Sequence, residues 1–247
     1  MKRLTLITTS VIMSLAAMQA GAQLTIDTSN TDRPFNIGVR VGANTSNLSN
    51  NMLNVVPGIH SSSVDWKAGF VGGVVVDIKM RNFFALQPGF FFETRSDSFQ
   101  RVKVTDGDVT HMEIVDGDRS SSYFKIPILA SFRFMIGSNV EWQIEAGPYF
   151  SFGLGGSEKY SLLTAGEPDN GSLYKRPLFG DKGFVKPYDW GFKMGTGLVL
   201  MEHWYVGIHY EAGCRNVLKP NAHASNTSFP DLSGHNKAWD FTIGYNF

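Results

Sequence analysis

The final nine residues, Trp239-Asp240-Phe241-Thr242-Ile243-Gly244-Tyr245-Asn246-Phe247, decide the fold. Trp239, Phe241, Ile243, Tyr245 and Phe247 share one parity, and Asp240, Thr242, Gly244 and Asn246 share the other. A period of two is a β-strand with one apolar and one polar face. The apolar face carries four aromatic rings and one isoleucine and has no charged interruption. Such a face suits a strand that closes a barrel in lipid, where the outer side meets hydrocarbon.

Working outward, seven further segments alternate in the same way, at roughly 35–44, 66–80, 83–97, 121–135, 139–154, 187–200 and 203–214, with the last strand at 237–247. Each is long enough for the roughly 9–11 residues that a tilted strand needs to cross a bilayer. The connections alternate in length. Arg81-Asn82, Ile136-Gly137-Ser138 and Met201-Glu202 are tight, whereas 45–65, 98–120, 155–186 and 215–236 are long and rich in Ser, Asn, Asp and Gly. Short periplasmic turns, long outer loops and an even strand count predict an all-β, eight-stranded antiparallel up-and-down transmembrane barrel over 35–247. Within loop 98–120, Gln100 to Val104 and Thr110 to Val115 alternate around Asp106-Gly107-Asp108, which predicts that the third and fourth strands continue above the membrane. Asp106, Asp108, Asp116 and Asp118 lack the spacing of a calcium loop and read as solvated turns. Pro88, Pro127 and Pro148 fall inside strands and predict bulges.

The chain ends agree. Lys2 and Arg3 precede an apolar run from Leu4 to Ala17 and the small residues Ala20-Gly21-Ala22, so 1–22 reads as a secretory signal peptide and 23–34 as a short polar periplasmic tail. Removing Lys2 and Arg3 from 22 bases against 22 acids leaves a slight acidic excess, which gives no reason to expect nucleic acid as a partner. The single Cys214 excludes an internal disulfide. The carboxy-terminus resembles the signal by which Gram-negative outer-membrane barrels reach their assembly machinery, a final Phe247 with the aromatic Tyr245 two residues before it. The expected location is therefore the outer membrane, with its lipid and the assembly machinery as partners.

A soluble barrel would show the same alternation inside out. Three features argue for lipid on the outside. Trp66, Trp142, Trp190, Trp204 and Trp239 all lie on the apolar parity near strand ends, where a headgroup girdle belongs. Most strand glycines lie on the polar parity, where they make room inside a narrow barrel. That parity also carries bases (Arg40, Lys67, Lys79, Arg95, Lys125, Arg133, Lys193) and acids (Asp77, Glu93, Glu141, Glu145, Asp189, Glu211, Asp240) in equal number. Balanced charge is what an enclosed lumen crosslinked by ion pairs requires.

Four short stretches carry a family resemblance. Tyr123-Phe124-Lys125-Ile126-Pro127-Ile128-Leu129, Leu86-Gln87-Pro88-Gly89-Phe90, Asp189-Trp190-Gly191 through Gly197, and Tyr210-Glu211-Ala212-Gly213-Cys214-Arg215-Asn216-Val217 together resemble the PorT-like outer-membrane β-barrel family of Bacteroidota. Cys214 stands where that family usually has Leu. The resemblance implies fold and location. The family is named for a member needed in protein secretion, and most of its members have no assigned task.

No catalytic, metal or cofactor motif accompanies the strands. His60-Ser61 and His223-Ala224-Ser225 lie in loops without an evident orienting acid, and His209 sits beside Glu211 by parity as a network histidine. The expectation is a non-enzymatic barrel with a filled polar lumen, acting in envelope structure or in surface binding through its loops. A barrel hydrolase and a secretion accessory factor are the alternatives. Loop 155–186 carries Tyr160, Leu162, Leu163, Tyr174, Leu178 and Phe179, which can fold over the barrel mouth or anchor a partner.

Overall fold

The computed structural model describes residues 24–29, 34–50, 59–104, 112–164, 173–219 and 233–247. The expected signal peptide, Asp106, Asp108 and His223-Ala224-Ser225 lie outside these residues. Ten strands follow one another: β1 (Leu24–Thr25), β2 (Phe35–Asn50), β3 (Ile59–Arg81), β4 (Phe84–Val104), β5 (Met112–Ile136), β6 (Val140–Thr164), β7 (Leu173–Pro177), β8 (Tyr188–Leu200), β9 (Trp204–Gly213) and β10 (Gly234–Asn246). Every pairing is antiparallel, and β5-β4-β3-β2-β10-β9-β8-β6 closes on itself through β5–β6. The ring has the eight strands the alternation predicts. Closure leaves no edge strand in the ring, so the backbone inside the bilayer is paired between neighbouring strands.

The two short strands patch places where long strands outrun their neighbours. β1 pairs Leu24 with Ile136 and Thr25 with Met135, below the point where β4 begins. Part of the expected periplasmic tail therefore joins the sheet. Asn82 in the tight β3–β4 turn donates to Asp27 at 2.8 Å, and the hydrogen bonds from Ser29, with a smaller part from Asn82, hold the Asp27 carboxyl below its usual pKa. At the other end β7 pairs with Ser157–Ser161 of β6, above the start of β8.

β3 to β6 have 23, 21, 25 and 25 residues. A bilayer needs about 9–11 per strand, so this side of the barrel projects beyond the membrane by on the order of ten residues. The alternation at 100–104, and that at 110–115 from Met112 onward, are part of this extension, as expected for the third and fourth long strands. β6 also continues into what the sequence presents as loop 155–186.

Facing follows the alternation. On β5, Phe124, Ile126, Ile128, Ala130, Phe132 and Phe134 lie on the outer side, while Tyr123, Lys125, Leu129, Ser131 and Arg133 are buried. Trp66, Trp190 and Trp239 are exposed near the outer ends of their strands, and Trp204 is exposed beside the Met201–Glu202 turn. Trp142, half-buried at the same end as Trp204, donates its indole N–H to Thr196 Oγ1 at 2.6 Å.

The prolines behave differently from expectation. Register is unchanged across all three: the ladder omits two rungs beside Pro88 on the β3 side, two beside Pro127 on the β4 side and two beside Pro148 on the β5 side. Each ring removes the donor on one edge only. The other edge still pairs, as at Pro88↔Ile128, Pro127↔Tyr149 and Pro148↔Phe192, so no bulge is needed. Register shifts do occur elsewhere, between Lys67 and Val71 of β3 and between Ser122 and Tyr123 at β5–β6.

The β8–β9 turn is closed by His203 N–H donating to Leu200 C=O at 3.2 Å, with φ of 52° at Met201 and 67° at Glu202. A two-residue turn of this hand suits the strand twist but favours Gly or Asn. Glu202→Gly should raise stability by about 0.5–1 kcal/mol, read from the urea midpoint in lipid vesicles. By the same measurement Ile128→Arg, which puts a cation on the lipid side, should lower stability by about 2–4 kcal/mol.

Candidate functional site

The lumen is filled in layers, and the middle one is ionic. Arg95 (β4), Lys125 (β5) and Lys193 (β8) converge there with Glu93 (β4), Asp189 (β8), Glu211 (β9) and Asp240 (β10), all buried. Glu211 accepts from Lys125 at 2.5 and 2.6 Å, from Lys193 at 2.9 Å and from Arg95 at 3.0 Å. Lys193 donates also to Asp240 at 2.5 Å, Arg95 Nε to Glu93 at 2.6 Å, and Lys125 to Glu93. Asp189 accepts from Asn236 at 2.8 Å and from the Tyr149 hydroxyl at 3.3 Å, with Arg95 Nη1 at 3.7 Å. Carboxylate oxygens of Glu93, Glu211 and Asp240 lie within 4.8 Å of one another, a spacing that could hold a metal ion. Lys125 and Lys193 already supply the positive charge between them. Hydrogen-bonded partners here are as many as 116 residues apart in the chain, from Arg95 to Glu211.

A second layer lies toward the periplasmic turns. Glu145 accepts from Tyr205 Oη at 2.8 Å and meets His209 Nε2 at 2.5 Å. Gln87 links Glu145 at 2.7 Å to Arg133 at 3.2 Å, and Arg133 pairs with Asp77 at 2.5 Å and approaches Glu141 at 3.7 Å. Arg40 stacks over the Tyr205 ring at 3.9 Å. Glycine makes this stack possible: a Cβ at Gly197 or Gly207 would stand 2.5 or 2.3 Å from the Tyr205 side chain. The expectation that lumen glycines accommodate long neighbours describes this arrangement.

The third layer lies at the outer mouth. Arg119 grips Asp97 through two bonds of 2.7 and 2.8 Å, and Arg176 of β7 pairs with Glu158 at 2.7 Å. Arg101, half-buried and stacked on Phe99 at 4.5 Å, is desolvated enough to bring its guanidinium pKa down to about 10. Leu48, Leu178, Phe184, Val185, Val217 and Leu218 then form an apolar cluster that caps the lumen, with Phe179 packed against it. Val185 bridges to Leu218, and Lys219 Nζ ties the two segments by donating to Gly180 C=O at 2.6 Å. Leu178 and Phe179 of loop 155–186 therefore fold over the mouth, while Tyr160 and Tyr174 stack on each other at 5.3 Å in the projecting sheet.

Lumen cavities flank the central cluster, one lined by Arg95, Asp97, Arg119 and Tyr123 and the other by Arg40, Glu145, Lys193 and His209. Each has a volume of ≈ 30 Å³. Each is large enough to hold ordered water.

Of the lumen charges read from the sequence, Arg40, Glu93, Arg95, Lys125, Arg133, Glu145, Asp189, Lys193, Glu211 and Asp240 are buried in these layers. Asp77 and Glu141 are half-buried at the periplasmic end. Lys79 is half-buried there too, without an ion pair among the described residues. Lys67 is not in the lumen. The β3 bulge adds a residue relative to β4, and above it Lys67 reaches the exposed Asp118 at 2.6 Å. His209 pairs with Glu145 rather than with Glu211, because both lie opposite Gly195 of β8 in register and meet across its missing side chain. Alternation alone misses Asp97, Arg119, Glu158 and Arg176. Asp97 shares the parity of Glu93 and Arg95 and Arg119 that of Tyr123, so this parity, followed upward, was the signal available for both.

A family model for the outer membrane protein β-barrel domain matches residues 21–219, more than half of the chain. The chain belongs to this family. Solved structures of similar form include the attachment invasion locus protein Ail of Yersinia pestis in complex with the heparin analogue sucrose octasulfate (13% identity, 87% of this chain and 100% of that one, TM-score 0.42). Others are OprG of Pseudomonas aeruginosa (11% identity, 90% and 99%, TM-score 0.44) and Neisserial surface protein A (11% identity, 87% and 96%, TM-score 0.36). No curated protein matches this outer-membrane barrel.

Removing Glu211 would leave three buried cations under-compensated, so Glu211→Ala should destabilise the barrel by about 3–5 kcal/mol. Removing the exposed Lys67–Asp118 pair by Lys67→Ala should change stability by about 1 kcal/mol or less. Urea titrations of both variants in lipid vesicles test the contrast.

Proposed function

We propose that the protein is a non-enzymatic structural or binding component of the outer membrane, acting through its outer surfaces rather than by conducting solute. The observation that carries this reading is the doubly closed lumen, with the ion cluster around Glu211 across its middle and the apolar cap of Leu178, Phe184, Val185, Val217 and Leu218 above. An eight-stranded barrel has an interior just wide enough for its own side chains to fill.

The hydrolase alternative gains no support from the candidates the structure describes. His209 is buried between strands against Glu145, away from any lipid or peptide at the surface. The PorT-like resemblance agrees with an envelope role, and the secretion role of that family's namesake is not carried over. In this reading residues 1–22 direct export, and Tyr245 and Phe247 hand the chain to the assembly machinery. The projecting sheet of β3 to β7 and its loops offer the surface for a ligand or protein partner.

Planar-bilayer recording tests the closed lumen. Purified protein should give no unitary conductance steps at voltages where an open pore conducts. Reproducible steps that persist after removal of contaminating porins would contradict it.

A further inference from the structure

We infer that the outer wall of β5, β6 and β7, just above the lipid-facing band, binds the phosphate headgroup of an outer-leaflet lipid. Lys159 of β6 and Lys175 of β7 are exposed and directly opposite each other in register. Like charges at directly opposed positions are unfavourable unless an anion lies between them. Among the described residues neither ammonium has an ion-pair partner. The nearby Asp118, opposite Lys159 in register, is held by Lys67, and Arg176 turns inward to Glu158.

Below the lysines the wall is open and polar. A concavity of ≈ 650 Å³ is lined by Ser120, Ser122, Gly155, Ser157 and Lys175, among others. The register shift at Ser122/Tyr123 frees Gly155, whose Cβ position has nothing within 4 Å. The hydroxyls can donate to phosphate oxygens, Lys175 in the lining supplies the opposing charge, and Lys159, directly opposite Lys175 and bordering the next hollow, adds to it. Directly beneath, Phe124, Phe152, Leu154 and Tyr188 are exposed on the same face, with Phe152 and Tyr188 rings 5.1 Å apart. That surface fits an acyl chain. The continuity of an apolar wall with a cationic, hydroxyl-lined hollow selects a phosphate-bearing lipid over a soluble anion. The inference rests on the long loops facing outward, and not on the closure of the lumen.

Native mass spectrometry of the full barrel, released from micelles doped with equal amounts of phosphatidic acid and phosphatidylcholine, tests it. The parent should retain one phosphatidic acid in preference to phosphatidylcholine. Lys159→Gln and Lys175→Gln should each weaken that retention about fivefold, the effect of one basic residue at an anionic surface. Phosphatidylcholine adducts should be equal in all three proteins, and unchanged heat-modifiable mobility on gels confirms that the exposed substitutions leave the barrel folded. Absence of preference in the parent, or undiminished preference in both variants, overturns the proposal. So does full displacement of the lipid by an equal concentration of inorganic phosphate, which would assign the hollow to a free anion.

Discussion

A carboxylate inside a narrow barrel can be neutralised only by the side chains around it. Glu211 is the extreme case, with Lys125, Lys193 and Arg95 all bonded to it and almost no solvent access. Its partners come from β4, β5 and β8, so the cluster exists only when the ring is complete. The same charges would be costly if any of them turned outward to hydrocarbon. Facing, closure and register are thus linked. One slip of register would send the ionic parity into lipid and the aromatic parity into the lumen.

That linkage explains why so much of the fold is legible in the sequence. Each long strand repeats the pattern of Trp239 to Phe247, and the short turns Arg81-Asn82 and Met201-Glu202 fix which strands are neighbours. The buried charges near mid-strand, such as Lys125 and Asp240, follow from parity alone. Their partners do not. Parity puts His209 in the lumen, but only the pairing register, with Gly195 of β8 between them, brings Glu145 of β6 to it.

The less legible features are those where alternation is interrupted or carried past the bilayer. Lys67 keeps the lumen parity in the sequence, yet a one-residue bulge hands it to the outer surface. The prolines suggest irregularity and cause little, because each lacks a donor on one edge only. Asp97 and Arg119 lie where polar alternation above the membrane looks like loop sequence. The apolar cap is harder still: Leu178, Val185 and Val217 are scattered among polar residues, and their meeting depends on contacts between two separate loops.

The arrangement amounts to a barrel sealed to both water and lipid along its inner surface. A nitroxide scan of Phe124 to Phe134 in β5, in lipid vesicles with oxygen and a water-soluble nickel chelate as relaxing agents, tests that most directly. Even-numbered positions should respond to oxygen alone, and odd-numbered positions should be shielded from both agents. Nickel-chelate accessibility at the odd positions would mean an aqueous channel in place of the closed ionic core.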